Sequence, residues 1–161
     1  MVVKKVTHRK PRVTRSRREE KGFLDDVPII SMYTRQQAIE DGVLVDVSDV
    51  AKSEYGINLP LAFTRAVWDE YITPDPRSVS WGQSIRGRLH DALFMLLPYL
   101  KHVTRDQKWI DKFNRDGSVT FYYKVIFIMK EKQQRTIQLK VVLSLDENYR
   151  PVVTVLKPNE D

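Results

Sequence analysis

Side chains suited to proton or phosphate chemistry are sparse in this chain of 161 residues. The histidines are His8, His90 and His102, with no His-x-x-x-His and no cysteine beside them. Spacing therefore encodes no metal set, and neither a metal nor a cofactor is expected. Without cysteine there is no thiolate nucleophile and no disulfide. The six glycines are scattered. They form neither the Gly-x-x-x-x-Gly-Lys of a phosphate loop nor the Gly-x-Ser-x-Gly of a nucleophile elbow. One catalytic reading survives. A metal-independent ribonuclease needs an acid or base near the 2′-hydroxyl and a cation at the phosphate. His90 and Arg88, with Thr154 or Tyr123, would be the set. His90 and Asp91 are sequence neighbours, about 100° apart on a helix, so they make no ready dyad. His90 reads first as a surface or partly buried structural histidine, and the acid is the alternative. Arg88 and Asp91, at i and i+3, read most simply as an ion pair.

A second kind of chemistry is electrostatic. Residues 1–21 hold nine cations (Lys4, Lys5, Arg9, Lys10, Arg12, Arg15, Arg17, Arg18 and Lys21) against Glu19 and Glu20, a charge of +7. The whole chain carries +6, so residues 22–161 sum to −1. The high pI belongs to the leader. Such a stretch buries too little apolar area to offset its ordering entropy, which predicts a flexible arm over residues 1–22. The arm can follow phosphates by releasing counterions, or it can be a solubilising tail. It has no aromatic residue on which a base could stack.

The elements that must position these groups follow from pattern. Thr34 and Gln37 have capping-box spacing, so a helix starts at Thr34 and ends at Asp41-Gly42. Val43 to Val47 reads as a short strand, and Ser48 as the cap of a helix over Asp49 to Tyr55. Asp41, Asp46 and Ser48 form a small polar cluster, either a cation contact or helix capping. Leu59, Phe63, Val67, Trp68, Tyr71 and Ile72 recur as one helical face, so Ile57 to Ile72 reads as helix, with Trp68 a core anchor rather than a stacking platform. Arg77 to Gln83 reads as a polar loop. A long helix follows, from Gln83 to His102. Trp109, Ile110 and Phe113 give one apolar side to a short helix or tight loop. Val119 to Met129, Thr136 to Leu145 and Pro151 to Leu156 are rich in β-branched and aromatic residues and read as an antiparallel meander. The expectation is a single α+β domain over residues 23–161, with three or four helices followed by a three-stranded sheet packed on them. No apolar run reaches the ~20 residues of a membrane helix, and no signal peptide is read, so a cytoplasmic protein is expected.

The stretch Tyr33 to Ser48, YTRQQAIEDGVLVDVS, resembles a family of small uncharacterised proteins met in bacterial genomes, plasmids and phages. The residues that carry the resemblance are Tyr33, Thr34, Arg35, Asp41, Gly42 and Asp46. Later pieces are Thr64 to Trp68, then Arg88 and Asp91, then Pro151 to Thr154 with Pro158 to Asp161. The likeness covers Tyr33 to Asp161. It implies a mobile-element setting and no particular activity, and it makes Arg88 and Asp91 a candidate tie to the Tyr33–Asp46 segment.

The leading expectation is a non-enzymatic binding protein with a macromolecular partner, its arm attracting nucleic acid. The alternatives are the ribonuclease-like enzyme and an assembly protein. The last would use Phe121, Tyr122 and Tyr123 on an exposed edge strand.

Overall fold

The computed structural model describes residues 33–129 and 132–161. The expectations placed on Lys4 to Arg18, and on the residues up to Met32, lie outside the described residues. Helix α1 (Arg35–Glu40) starts as its sequence requires. The Gln37 amide donates to the Thr34 hydroxyl at 3.1 Å, and the Thr34 amide to the Gln37 side chain at 2.9 Å. Gly42 leaves the helix at φ +74, a conformation that costs glycine little.

Next come β1 (Leu44–Asp46) and α2 (Ser48–Tyr55). Ser48 is not the cap expected of it; that position is Val47, which has no side-chain oxygen. Ser48 is instead a tie. Its hydroxyl donates to Asp46 at 2.5 Å and accepts the Leu61 amide at 3.0 Å.

Residues 57–72 are where the helical periodicity misleads. Leu61–Thr64 is strand β2, and only α3 (Arg65–Val67), widening into a π-type turn over Trp68–Ile72, is helical. β2 pairs antiparallel with β1 and parallel with β5 (Pro151–Leu156), and all four of its residues are buried. A strand covered on both faces shows no alternation, so its apolar run is indistinguishable from a buried helix turn. The expected loop after it contains α4 (Pro76–Ser80). Asp75 caps it by accepting the amides of Arg77 and Ser78, and Pro76 opens it.

Helix α5 (Ile85–Val103) is the longest element and accommodates Pro98 in its last third. Helix α6 (Gln107–Asp116) ends at Gly117 in the left-handed conformation. Then β3 (Ser118–Ile128), β4 (Gln134–Leu145) and β5 form the expected antiparallel meander. It is only part of the sheet. The order is β1-β2-β5-β4-β3, five strands and mixed, and the described residues hold six α-helices rather than three or four.

One face of the sheet is the core. From β3 it receives Val119, Phe121, Tyr123, Val125 and Phe127, all buried, and the buried stripe of α5 lies against it. Phe121 and Tyr123 therefore point inward, and of the aromatic trio only Tyr122 is exposed. Trp109 of α6 meets Phe121 edge to face. Trp68 packs on the same core, 6.4 Å from the Phe63 ring. Among the described residues no helix is long and apolar enough to cross a membrane.

Candidate functional site

The residues assigned to ribonuclease-like chemistry do not meet. Arg88 and His90 are two positions apart on α5, so they point to nearly opposite sides of the helix. Arg88 turns inward and is 2 % exposed. Its guanidinium donates to the carbonyls of Tyr71 at 3.0 Å and Ile128 at 2.7 Å, and to the Gln83 side chain at 3.3 Å. It also lies 5.8 Å from the centre of the Phe127 ring. Burial pulls its pKa down from the ordinary value, and the charge of Asp75 works against that. It thus bonds two backbone carbonyls and the Gln83 side chain rather than Asp91, and the two carbonyls tie the end of the π-type turn to the end of β3. Thr154 is on the other face of the sheet, and Tyr123 is sealed in the core.

The Tyr33–Asp46 segment is tied down by Arg35 rather than Arg88. Arg35 donates to the Thr154 hydroxyl at 2.8 Å and to the Val153 carbonyl at 2.9 Å. Burial lowers its pKa, opposed by Asp46, Asp146 and Glu147. Around it, the Tyr33 hydroxyl donates to Asp41, and the Gly42 carbonyl accepts from Arg65. Asp46 accepts both the amide and the hydroxyl of Ser48. These polar groups clamp α1 onto β1 and β5, which is a structural use of each. Among the described residues no group of three or more His, Asp and Glu side chains could hold a metal ion.

His90 has a different set of neighbours from those expected. Helix α2 runs beside α5, and Tyr55 at its end places its hydroxyl 2.5 Å from His90 Nδ1. Burial raises the Tyr55 pKa, with Glu54 and Asp91 adding to the rise and Arg86 opposing it. The phenol and the imidazole thus share a hydrogen bond across the seam between the two helices. On the other side the His90 ring stacks on Phe94, 5.9 Å between centres and 19° between planes. Arg86, one turn earlier, sits 3.3 Å from Glu54.

Two clefts share this ground. One of about 450 Å3 is bordered by Glu54, Ser84, Arg86, His90 and Asp91. The other, about 480 Å3, is bordered by Val50, Tyr55, Leu89 and the same histidine and arginine. Further along the seam between the two helices lies a third, about 320 Å3, edged by Leu59, Leu97, Lys101 and Arg105. The site brings together one imidazole, one exposed guanidinium and two hydroxyls, those of Tyr55 and Ser84. It can stack, pair with an anion and pass a proton. Tyr55 was missed from the sequence because it lies 35 residues before His90. Arg86, His90 and Phe94 at steps of four were legible as one side of the helix.

Residues 21–161 match the model of a family of unknown function (DUF6573), and the chain belongs to that family. The match begins twelve residues before Tyr33, where the resemblance starts. No curated protein and no solved structure matches the chain.

Proposed function

We propose that this member of the family is a non-enzymatic binding protein: its cationic arm engages nucleic acid and its body meets a macromolecular partner. The observation that supports it most is the separation of charge. Residues 1–21 carry nine cations and two carboxylates, whereas residues 33–161 hold eighteen Lys and Arg against seventeen Asp and Glu. Long-range attraction to phosphate is thus assigned to Lys4, Lys5, Arg9, Lys10, Arg12, Arg15, Arg17 and Arg18. A protein with six to ten phosphate contacts loses about a thousandfold to a hundred-thousandfold in affinity between 50 and 200 mM salt. The full chain should show such a dependence on an RNA or DNA oligonucleotide, and the chain lacking residues 1–21 should lose it. Equal binding by the two would remove the arm from the function. The setting we propose is the cytoplasm of a cell carrying a plasmid or phage, supported by the resemblance of the Tyr33–Ser48 stretch.

The His90 cleft favours a second reading, an RNA-cleaving enzyme, now built on His90 and Arg86 instead of Arg88 and Thr154. The imidazole would take the 2′-hydroxyl proton as that oxygen attacks the adjacent phosphorus. As the phosphorus–5′-oxygen bond breaks, the protonated imidazole would return that proton to the departing 5′-oxygen, and Arg86 would hold the phosphate charge. Cleavage of several RNAs, abolished in His90→Ala, would establish it; intact RNA after long incubation would eliminate it.

A further inference from the structure

On the outward side of α5, four residues form a line. Arg86, His90, Phe94 and Lys101 stand at i, i+4, i+8 and i+15, so they share one side of the helix. At a rise of about 1.5 Å per residue the line is roughly 22 Å long. The α2–α5 seam runs beside it, and the three clefts around Ser84, Tyr55 and Leu97 open along that seam in order.

The middle of the line is aromatic and held in place. Phe94 is 60 % exposed although it is one of the largest apolar side chains in the protein. Its ring is nearly parallel to that of His90, and the Tyr55 hydroxyl fixes the His90 ring. A pair of stacked rings with an exposed member offers what an unpaired base requires, because every base has a π face. The two ends are cationic. Arg86 has 86 % of its side chain exposed and its ion-pair partner is Glu54 at 3.3 Å, an exposed contact that a phosphate can replace. At the other end Lys101 and Arg105 are exposed beside the third cleft. Glu54 and Asp91 lie near the Arg86 end, so the line carries little net charge and would not draw nucleic acid from a distance. That task falls to the arm, which in turn has no ring for stacking.

The strip suits a nucleic-acid strand better than a protein helix. A docked amphipathic helix needs a groove with apolar anchors at several turns. Here Phe94 is flanked along the line by His90, Arg86 and Lys101; Leu97 shares that side but is half-buried, as the cleft's edge, and Met95 lies about 100° round the helix.

We propose that the α2–α5 seam is a contact track for single-stranded nucleic acid. About four nucleotides would lie along it, the low end of known single-strand site sizes. A base would extend the Phe94–His90 stack, and phosphates would meet Arg86, Lys101 and Arg105. This rests on the nucleic-acid reading of the arm and names what the body adds to it, namely preference for unpaired bases.

The test compares the full chain, Phe94→Ala, Phe94→Tyr, Lys101→Gln and the chain without residues 1–21. Each is titrated with a fluorescent twelve-nucleotide poly-U RNA and with a duplex of equal length. Losing one stacked base should weaken single-strand binding by about 5- to 140-fold in Phe94→Ala. Duplex binding should be unchanged, and Phe94→Tyr should bind as the parent does. Lys101→Gln should lower the salt slope by about one contact. Circular dichroism checks that each variant is folded, and Phe94→Tyr with Lys101→Gln carries the test if the alanine variant is not. Single-strand affinity of Phe94→Ala within twofold of the parent, or an equal loss on duplex, overturns the track. If arm deletion abolishes binding while Phe94→Ala is silent, the track fails and the arm reading stands. If arm deletion is silent and Phe94→Ala is not, the reverse holds. Conversion of a dimer to a monomer by Phe94→Ala, seen by light scattering, would assign the strip to a second copy of the chain and overturn the proposal. Failure of the full chain to bind either oligonucleotide ends both readings.

Discussion

Replacing Arg88 with methionine separates two accounts of what that arginine does. Sequence spacing pairs it with Asp91; the structure has it donating to the carbonyls of Tyr71 and Ile128. Methionine keeps a long flexible side chain, so the cavity left behind is small. What is lost is a donor at each of two carbonyls, and an acceptor left unpaired in the interior costs about 1–3 kcal/mol. Tyr71 and Ile128 are themselves only partly buried, so water can reach part of the gap. Removing a buried cation also recovers desolvation energy. The expected net loss is about 3 kcal/mol, a large share of the 5–15 kcal/mol typical of a whole domain. In thermal unfolding it corresponds to about 10 °C for a domain of this size. Arg88→Lys should fall between, because an ammonium on a single stem cannot serve two divergent carbonyls as a planar fork does. Asp91→Ala should change stability by no more than about 0.5 kcal/mol, as expected for an exposed residue outside any network. Urea titration followed by tryptophan fluorescence gives the values, provided the slope is common to all variants. Arg88→Met within about 1 kcal/mol of the parent, or Asp91→Ala as costly as Arg88→Met, would refute the carbonyl-bridge account.

Other expectations follow from the same contacts. Tyr123→Phe should be neutral or stabilise by up to about 1 kcal/mol, because the buried hydroxyl has no hydrogen-bond partner among the described residues; a clear loss of stability would reveal one. Thr34→Ala removes the acceptor of the Gln37 amide and should cost about 1 kcal/mol by urea titration. Asp146 accepts the amides of Arg150 and Asn148 in the β4–β5 turn, and the first of these does most to lower its pKa. A carboxylate with a lowered folded pKa contributes stability above its unfolded value of about 3.9 and loses it as pH falls through the folded value. The gap in stability between parent and Asp146→Asn should therefore be full at neutral pH and close in the acid range below about pH 4. A gap independent of pH would show that the lowered pKa makes no contribution.

Much of this protein can be read from local pattern. The capping box at Thr34, the stop at Gly42, the long apolar stripe of α5 and the alternation in β3 to β5 are set by residues within one or two turns or one strand of each other, and all appear in the structure. The Asp75-Pro76 start of α4 was equally legible, as a cap followed by proline at the first helical position, although a loop was expected there. The separation of charge between residues 1–21 and the rest is a property of composition alone.

Long-range pairing is what the sequence left undecided. β2 joins the sheet by lying parallel to β5, about ninety residues later, and a fully buried strand carries no alternation to announce itself. The partners of Arg88 are backbone carbonyls, which have no side-chain signature in any sequence, so the nearest carboxylate at i+3 took their place in the reading. Arg35 reaches Thr154 across the sheet, and Tyr55 reaches His90 across a helix seam. Only the packing of α2 on α5 set the Tyr55 hydroxyl against an isolated histidine and opened clefts on either side of it. Residue types fix which turns and strands can form, because those bonds are local. Which side chains meet depends on how the formed elements bury their apolar faces together, and that is decided over the whole chain at once.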